Sequence, residues 1–129
     1  QEIFITYTAH IKALQDKLNN GSLLIDCHSF PSDLAPDVDI CIGYNEDWSK
    51  PDDETLRLIW EYLESNGFKV TFNRPYGNSL TPPSIFSYKS IMLEVNKNVY
   101  MHENDLSERA DLYKVHYRLV GLYEKLLMK

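Results

Sequence analysis

Hydrophobic and polar positions along the chain follow two periods, which predict alternating helices and strands. In three segments apolar residues recur every three or four positions, as at Leu56, Ile59 and Leu63, and this spacing is typical of amphipathic helices. Four shorter segments are apolar runs of strand length. The predicted elements, in chain order, are a helix over 5–18, strands over 22–26 and 38–42, a helix over 53–66, strands over 69–73 and 90–96, and a helix over 106–127.

This α-β-β-α-β-β-α order predicts the fold class. Helices that connect apolar strands indicate an α/β fold with a mixed, mostly parallel sheet flanked by helices. In such sheets ligands bind outside the carboxyl ends of the strands. The polar residues that follow or end the predicted strands are Asp26, His28, Asn73, Arg74 and Glu94. If the strands are parallel, we expect these side chains to meet at one edge of the sheet.

Composition narrows the classes of function. The 129 residues are 43% hydrophobic and 25% charged, which predicts one globular domain over residues 1–129. The net charge of −6 argues against binding to nucleic acid or to an anionic membrane, and no apolar run is long enough for a transmembrane helix. Cys27 and Cys41 allow at most one disulfide, which favours a reducing compartment, and a cytoplasmic location is expected because the sequence shows no targeting signal.

Two positions have the residue types of an active site. Asp26 and His28 lie two apart on an extended chain, so the carboxylate can orient the imidazole for metal binding or proton transfer. Glu94 interrupts an apolar strand, and burial there would raise its pKa toward that of a general base. The alternatives are a structural histidine after a buried strand and an edge-strand glutamate that faces water.

A third candidate is the segment that follows the third predicted strand. Arg74 at a strand end can bind a carboxylate in bidentate fashion, and the Gly- and Pro-rich loop over 74–88 can form a lid that carries Tyr76. The alternative is an exposed loop with an ordinary surface arginine. The sequence contains no HExxH, GxSxG, CxxC or phosphate-binding glycine motif.

Taken together, five blocks resemble the N-formylglutamate amidohydrolase family in their order and spacing. They are residues 24–30 (LIDCHSF), 39–43 (DICIG), 73–76 (NRPY), 91–96 (IMLEVN) and 100–101 (YM), and the resemblance extends from about residue 7 to residue 127. It implies a zinc-carboxypeptidase-like (phosphorylase/hydrolase-like) fold. It also implies zinc-dependent hydrolysis of an N-acyl amino acid such as N-formylglutamate.

The resemblance also implies roles for particular residues. His28 matches a zinc ligand, Asp26 is its partner, and Glu94 matches the catalytic glutamate, which takes a proton from water and passes it to the leaving amine. Zinc would lower the pKa of the water and polarise the acyl carbonyl. The residues that match the substrate loop are Asn73, Arg74 and Tyr76, of which Arg74 would bind the substrate carboxylate.

Two departures from the family pattern shape the expectations. In the family a further His and Glu that bind zinc lie in an upstream motif, and this chain begins after that place. Residues 44–47 (YNED) stand where the family continues with a Thr-Asp type of sequence. We therefore expect the C-terminal part of a longer enzyme, inactive alone, that forms a homodimer or binds its missing N-terminal segment. The alternatives are a non-catalytic module that binds a small acyl ligand through Asn73 and Arg74, and an interaction domain.

Overall fold

The computed structural model describes the backbone of residues 2–128 and the side chains of residues 9–128. Its helices and strands alternate much as the sequence predicts. The helices are α1 (Glu2–Lys17), α2 (Asp53–Ser65) and α3 (Leu112–Leu127). The strands are β1 (Leu23–Phe30), β2 (Ile40–Gly43), β3 (Val70–Phe72), β4 (Lys89–Asn96), β5 (Met101–His102) and β6 (Ser107–Glu108). None of the helices in residues 2–128 is long and apolar enough to cross a membrane.

Four strands form the main sheet in the order β1-β4-β2-β3. β1 is parallel to β4, β2 is parallel to β3, and β2 and β4 are antiparallel. The predicted mixed, mostly parallel α/β sheet is therefore confirmed. Because β2 and β3 run against β1 and β4, they end at the opposite edge of the sheet, so the expected meeting of all the strand ends does not occur.

Two element boundaries differ from the predictions by more than three residues. The strand predicted over 22–26 continues as β1 to Phe30, so His28 lies within a strand instead of after it. The final helix begins at Leu112, not at Leu106, because a short hairpin of β5 and β6 occupies the chain before it. Leu106 has a φ of 62°, a left-handed backbone conformation that cannot continue a right-handed helix.

One face of the sheet, called here the helix-covered face, carries the main hydrophobic core. Alternation along β2 and β4 directs Ile42, Ile91 and Leu93 to this face, where they pack with Ile59 of α2 and Leu122 of α3. All five residues are buried. Both α2 and α3 therefore pack on this face. Segments without regular structure lie against the other face of the sheet.

The opposite face, called here the loop-covered face, is lined by the other set of alternating residues. Phe30 and Cys41 pack there with Ala35 in the segment between β1 and β2. Ser90 donates a hydrogen bond from its Oγ to the carbonyl of Leu80 at 2.6 Å, which fixes the long segment before β4. The irregular segments bring main-chain carbonyl groups close to this face of the sheet, as at Leu80 and Tyr76.

Candidate functional site

The register of β1 and β4 places the two principal candidates side by side. His28 is opposite Glu94 in this parallel pair, and Asp26 is opposite Met92 one step along. Side chains at paired positions point to the same face of a sheet, and residues two apart on a strand share that face. Asp26, His28 and Glu94 therefore lie together on the loop-covered face.

Asp26 and His28 form a hydrogen-bonded pair. Nε2 of His28 lies 2.7 Å from Oδ2 of Asp26. The hydrogen bond to Asp26 is the largest cause of the raised pKa of His28; burial lowers this pKa, and the charges of Asp26 and Glu94 raise it. The carboxylate thus holds the ring in one orientation, and the ring nitrogen that remains for a ligand is Nδ1.

Glu94 is a buried carboxylate without a hydrogen-bond partner for one of its oxygens. The residue is only 6% exposed, and its Oε2 has no partner among the residues that the structure describes. Burial raises the pKa of Glu94, and the neighbouring Asp26 carboxylate raises it further, whereas His28 lowers it. Such a group holds a proton more tightly than an ordinary carboxylate, which is the property that a general base near neutral pH requires.

Asn73 and Arg74 lie at the end of β3 and have partners outside this group. Oδ1 of Asn73 accepts a hydrogen bond from the backbone N–H of Tyr44 at 2.9 Å. Nη2 of Arg74 donates to Oδ2 of Asp37 at 2.8 Å, and this ion pair holds the pKa of Asp37 below its usual range. In this structure the two side chains are therefore engaged by Tyr44 and Asp37.

Tyr76 lies where the chain folds back from β3 across the loop-covered face. Its carbonyl accepts a hydrogen bond from Sγ of Cys41 at 3.2 Å, and its ring meets the edge of the Phe30 ring at a centroid distance of 6.4 Å. The Tyr76 residue remains 40% exposed. Its ring thus borders the same face as His28, which lies two residues before Phe30 on β1.

Two further residues lie beside this group, Cys41 and Gly43, and neither was predicted as a site residue from the sequence. Cys41 is opposite Glu94 in the antiparallel pair of β2 and β4, and Gly43 is opposite Met92. Alternation along β2 would have placed both on the face opposite Ile40 and Ile42. That signal was present in the sequence, but the pairing of β2 with β4 was needed to place the two residues beside Glu94.

A zinc ion needs three or four protein ligands, and the described residues do not supply them. In the part of the chain that the structure describes, no three His, Cys, Asp or Glu side chains come together in a group that could hold a metal ion. His28 can offer one ligand atom, Nδ1, because its Nε2 is bound to Asp26. These residues by themselves do not fit a complete zinc site.

A separate groove of about 370 Å³ lies between β1 and α3. Its lining is largely apolar and includes Val95, Leu112 and Leu119, and His28 also lines it. Val95 lies on the helix-covered face, so the body of the groove is on the other side of the sheet from Glu94. The groove shares His28 with the cluster formed by Asp26, His28 and Glu94, whereas Asp26 and Glu94 do not line it.

One solved structure with a similar fold is the crystal structure of N-formylglutamate amidohydrolase from Ralstonia eutropha JMP134. The two chains superpose with a TM-score of 0.63 at 17% sequence identity. The match covers 79% of this chain but 42% of that one, so this chain spans less than half the length of its structural neighbour. This likeness supports the α/β fold.

Comparison at the level of sequence gives the family. No curated protein sequence matches this chain. The family profile of N-formylglutamate amidohydrolase matches residues 1–101, which include β1, β4 and therefore Asp26, His28 and Glu94. A match over more than half of the chain shows that this protein belongs to the N-formylglutamate amidohydrolase family.

Proposed function

We propose that this chain is part of a zinc-dependent amidohydrolase that acts on an N-acyl amino acid such as N-formylglutamate. The observation that carries the proposal is the buried, incompletely bonded carboxylate of Glu94 beside the Asp26–His28 pair, in a chain that belongs to this family. Buried carboxylates with a raised pKa are found preferentially at catalytic sites. Zinc in the full-length protein would use His28 together with ligands from outside the described residues.

In this proposal Glu94 is the general base and then the general acid of amide hydrolysis. The Glu94 carboxylate takes a proton from the attacking water, whose oxygen forms a bond to the acyl carbon. Glu94 then gives this proton to the nitrogen as the C–N bond breaks, which leaves an acid (formate, for a formyl substrate) and a free amino acid. Its raised pKa suits both steps, because the group must accept and release the same proton.

Arg74 is proposed to bind the substrate carboxylate after it leaves Asp37. Both partners of that ion pair are more than half exposed, with side-chain exposures of 54% for Arg74 and 67% for Asp37. Exposed ion pairs contribute little net stability, so a substrate carboxylate can replace Asp37 at small cost. Asn73 and Tyr76, in the same segment, are proposed to contact the substrate.

The test uses the full-length protein and follows formate release from N-formyl-L-glutamate. We expect Glu94→Gln to lower kcat by about 10²-fold or more, since that is the usual contribution of a general base. Glu61→Gln on the exposed side of α2 is the matched control and should retain full activity. Wild-type turnover that persists in Glu94→Gln would show that Glu94 is not the base.

Zinc content measured on the same samples tests the metal separately. We expect close to one zinc per chain in the wild type and in Glu94→Gln, and a large loss of zinc in His28→Ala. A wild-type protein without zinc that is nevertheless stabilised thermally by N-formyl-L-glutamate would favour a second function, a non-catalytic binding module. The observation in favour of that alternative is the lack of a three-ligand group within the described residues.

The proposal places the protein in the cytoplasm. Cys27 and Cys41 are both free thiols in the structure, and free cysteines are typical of proteins in reducing compartments. The expected partner is a small anionic molecule that a single arginine, Arg74, can bind. The net charge of −6 disfavours binding of a polyanion such as a nucleic acid. Fractionation of cells that express the natural gene product checks this location.

A further inference from the structure

Cys41 occupies a buried position directly beside Glu94. It is opposite Glu94 in the pairing of β2 with β4, and it has no exposed surface. It packs with Phe30, Ala35 and Val38, which places it on the loop-covered face. A buried thiol at this point can affect the site by packing and by hydrogen bonding.

The Cys41 thiol contacts one main-chain group of residues 73–78, called here the covering segment. Its Sγ donates to the carbonyl of Tyr76 at 3.2 Å. At the start of the covering segment the N–H of Asn73 donates to the carbonyl of Ile42 at 2.9 Å, and the carbonyl of Arg74 accepts a hydrogen bond from the Thr71 hydroxyl. The thiol thus holds the covering segment at Tyr76, beyond the contacts that fix its start.

Gly43 makes a second close approach to the covering segment. A Cβ atom at Gly43 would lie 2.6 Å from the carbonyl oxygen of Asn78 and 2.8 Å from Cε of Met92. Since Cys41 and Gly43 are successive positions on the same face of β2, the covering segment runs along this strand from the thiol to the glycine. Because β2 is paired with β4, the covering segment therefore lies close to the strand that carries Glu94.

We propose that Cys41 is a positioning residue for the proposed hydrolysis, and that its thiol holds Tyr76 beside the face of the sheet on which Glu94 would act on the N-acyl amino acid. This inference rests on the proposed function. The exposed part of Tyr76 and its edge contact with Phe30 place the ring at the border of the face that carries His28 and Glu94. A residue that borders the substrate without touching the reacting atoms acts on substrate binding more than on the chemical step.

The kinetic test compares Cys41→Ala and Cys41→Ser in the full-length protein. We expect Cys41→Ala to raise KM for N-formyl-L-glutamate roughly two- to fivefold, with kcat within about twofold of wild type, because a thiol is a weak donor. Cys41→Ser restores a hydrogen-bond donor, so its KM should return most of the way to the wild-type value. A fall in kcat at unchanged KM, or no recovery with serine, would overturn the positioning role.

Cys27→Ala is the matched control for loss of a thiol. Sγ of Cys27 lies 3.6 Å from the Tyr123 hydroxyl, and alternation along β1 places it on the other face of the sheet from His28. We expect this variant to leave KM unchanged. An equal rise of KM in both alanine variants would mean that general destabilisation, and not the position of Tyr76, is responsible.

Amide hydrogen exchange separates this inference from the proposed function. The amides of Asn73, which begins the covering segment, and of Ser79, which follows it, donate to the Ile42 carbonyl and to Oδ1 of Asn45. In Cys41→Ala these amides should exchange roughly two- to fivefold faster than in wild type, while the core of β4 is unchanged. Unchanged exchange in these two amides would overturn the positioning role whatever the activity. Faster exchange in a protein whose wild type neither binds nor hydrolyses N-formyl-L-glutamate would instead show that the proposed function has failed.

Discussion

The carboxylate of Glu94 weakens the fold that contains it. Because burial raises its pKa, the folded state binds the proton of Glu94 more tightly than the unfolded state does. The contribution of this group to stability is therefore most favourable below the ordinary pKa of a glutamate. It falls as pH rises from that value to the raised pKa of the folded state.

This cost leads to a prediction for Glu94→Gln. The variant removes a buried charge with an unbonded oxygen, so at pH 7 we expect the free energy of unfolding to rise by roughly 1 kcal/mol. Urea denaturation at several pH values measures this, and the decline of stability with rising pH should be smaller than in wild type. The exposed Glu61→Gln control should show neither change, and a less stable Glu94→Gln at pH 7 would contradict the argument.

The hydrogen bond between Asp26 and His28 gives a second prediction. It is the largest cause of the raised pKa of His28, so Asp26→Asn should lower the pKa of this histidine. The raised pKa stabilises the fold below the ordinary histidine pKa, and this contribution disappears as pH rises through the raised value. An NMR titration of the His28 ring measures the shift. Asp37→Asn, which breaks the pair with Arg74, serves as the control and should leave His28 unchanged.

Sequence reasoning reached Asp26, His28 and Glu94 but not the surroundings of Asn73 and Arg74. The first three lie on strands, where a period of two fixes which side chains share a face. Asn73 has a φ of 58° and begins an irregular turn, so no periodicity predicts its partner. Its bond to Tyr44 and the pair of Arg74 with Asp37 join residues distant in sequence, and only the tertiary fold determines them.

At the level of elements, the covering segment depends on the small size of Gly43. Gly43→Ala would force its Cβ against the carbonyl of Asn78, a backbone atom that cannot move alone. We expect a loss of about 1–3 kcal/mol of stability together with displacement of the covering segment. Thermal denaturation and proteolysis between residues 73 and 79 measure these effects.

A glycine within the covering segment provides the control for this substitution. A Cβ atom at Gly77 would lie 3.5 Å from Oδ1 of Asn73, an ordinary van der Waals distance. Gly77→Ala should therefore change stability by less than about 1 kcal/mol. Equal losses in the two variants would show that the close approach to Gly43 is not what shapes the segment.

For the whole molecule, the family match and the folded unit have different extents. The match ends at residue 101, whereas α3 begins at Leu112. Yet α3 supplies Val115 and Leu122 to the core against the sheet that carries Glu94. The helical period predicted α3 correctly except at its start, because the pattern of apolar residues reports burial against the sheet and does not depend on family membership.

Truncation of a core side chain in α3 tests whether this helix is needed for the fold. Leu122 is fully buried, and we expect Leu122→Ala to lower the free energy of unfolding by about 2–5 kcal/mol. Leu127 near the end of the same helix is 85% exposed, so Leu127→Ala should change it by less than about 0.5 kcal/mol. Urea denaturation of both variants measures the difference. If Leu122→Ala were as mild as Leu127→Ala, α3 would be an appendage, and the sheet with Asp26, His28 and Glu94 would hold its shape through the matched region alone.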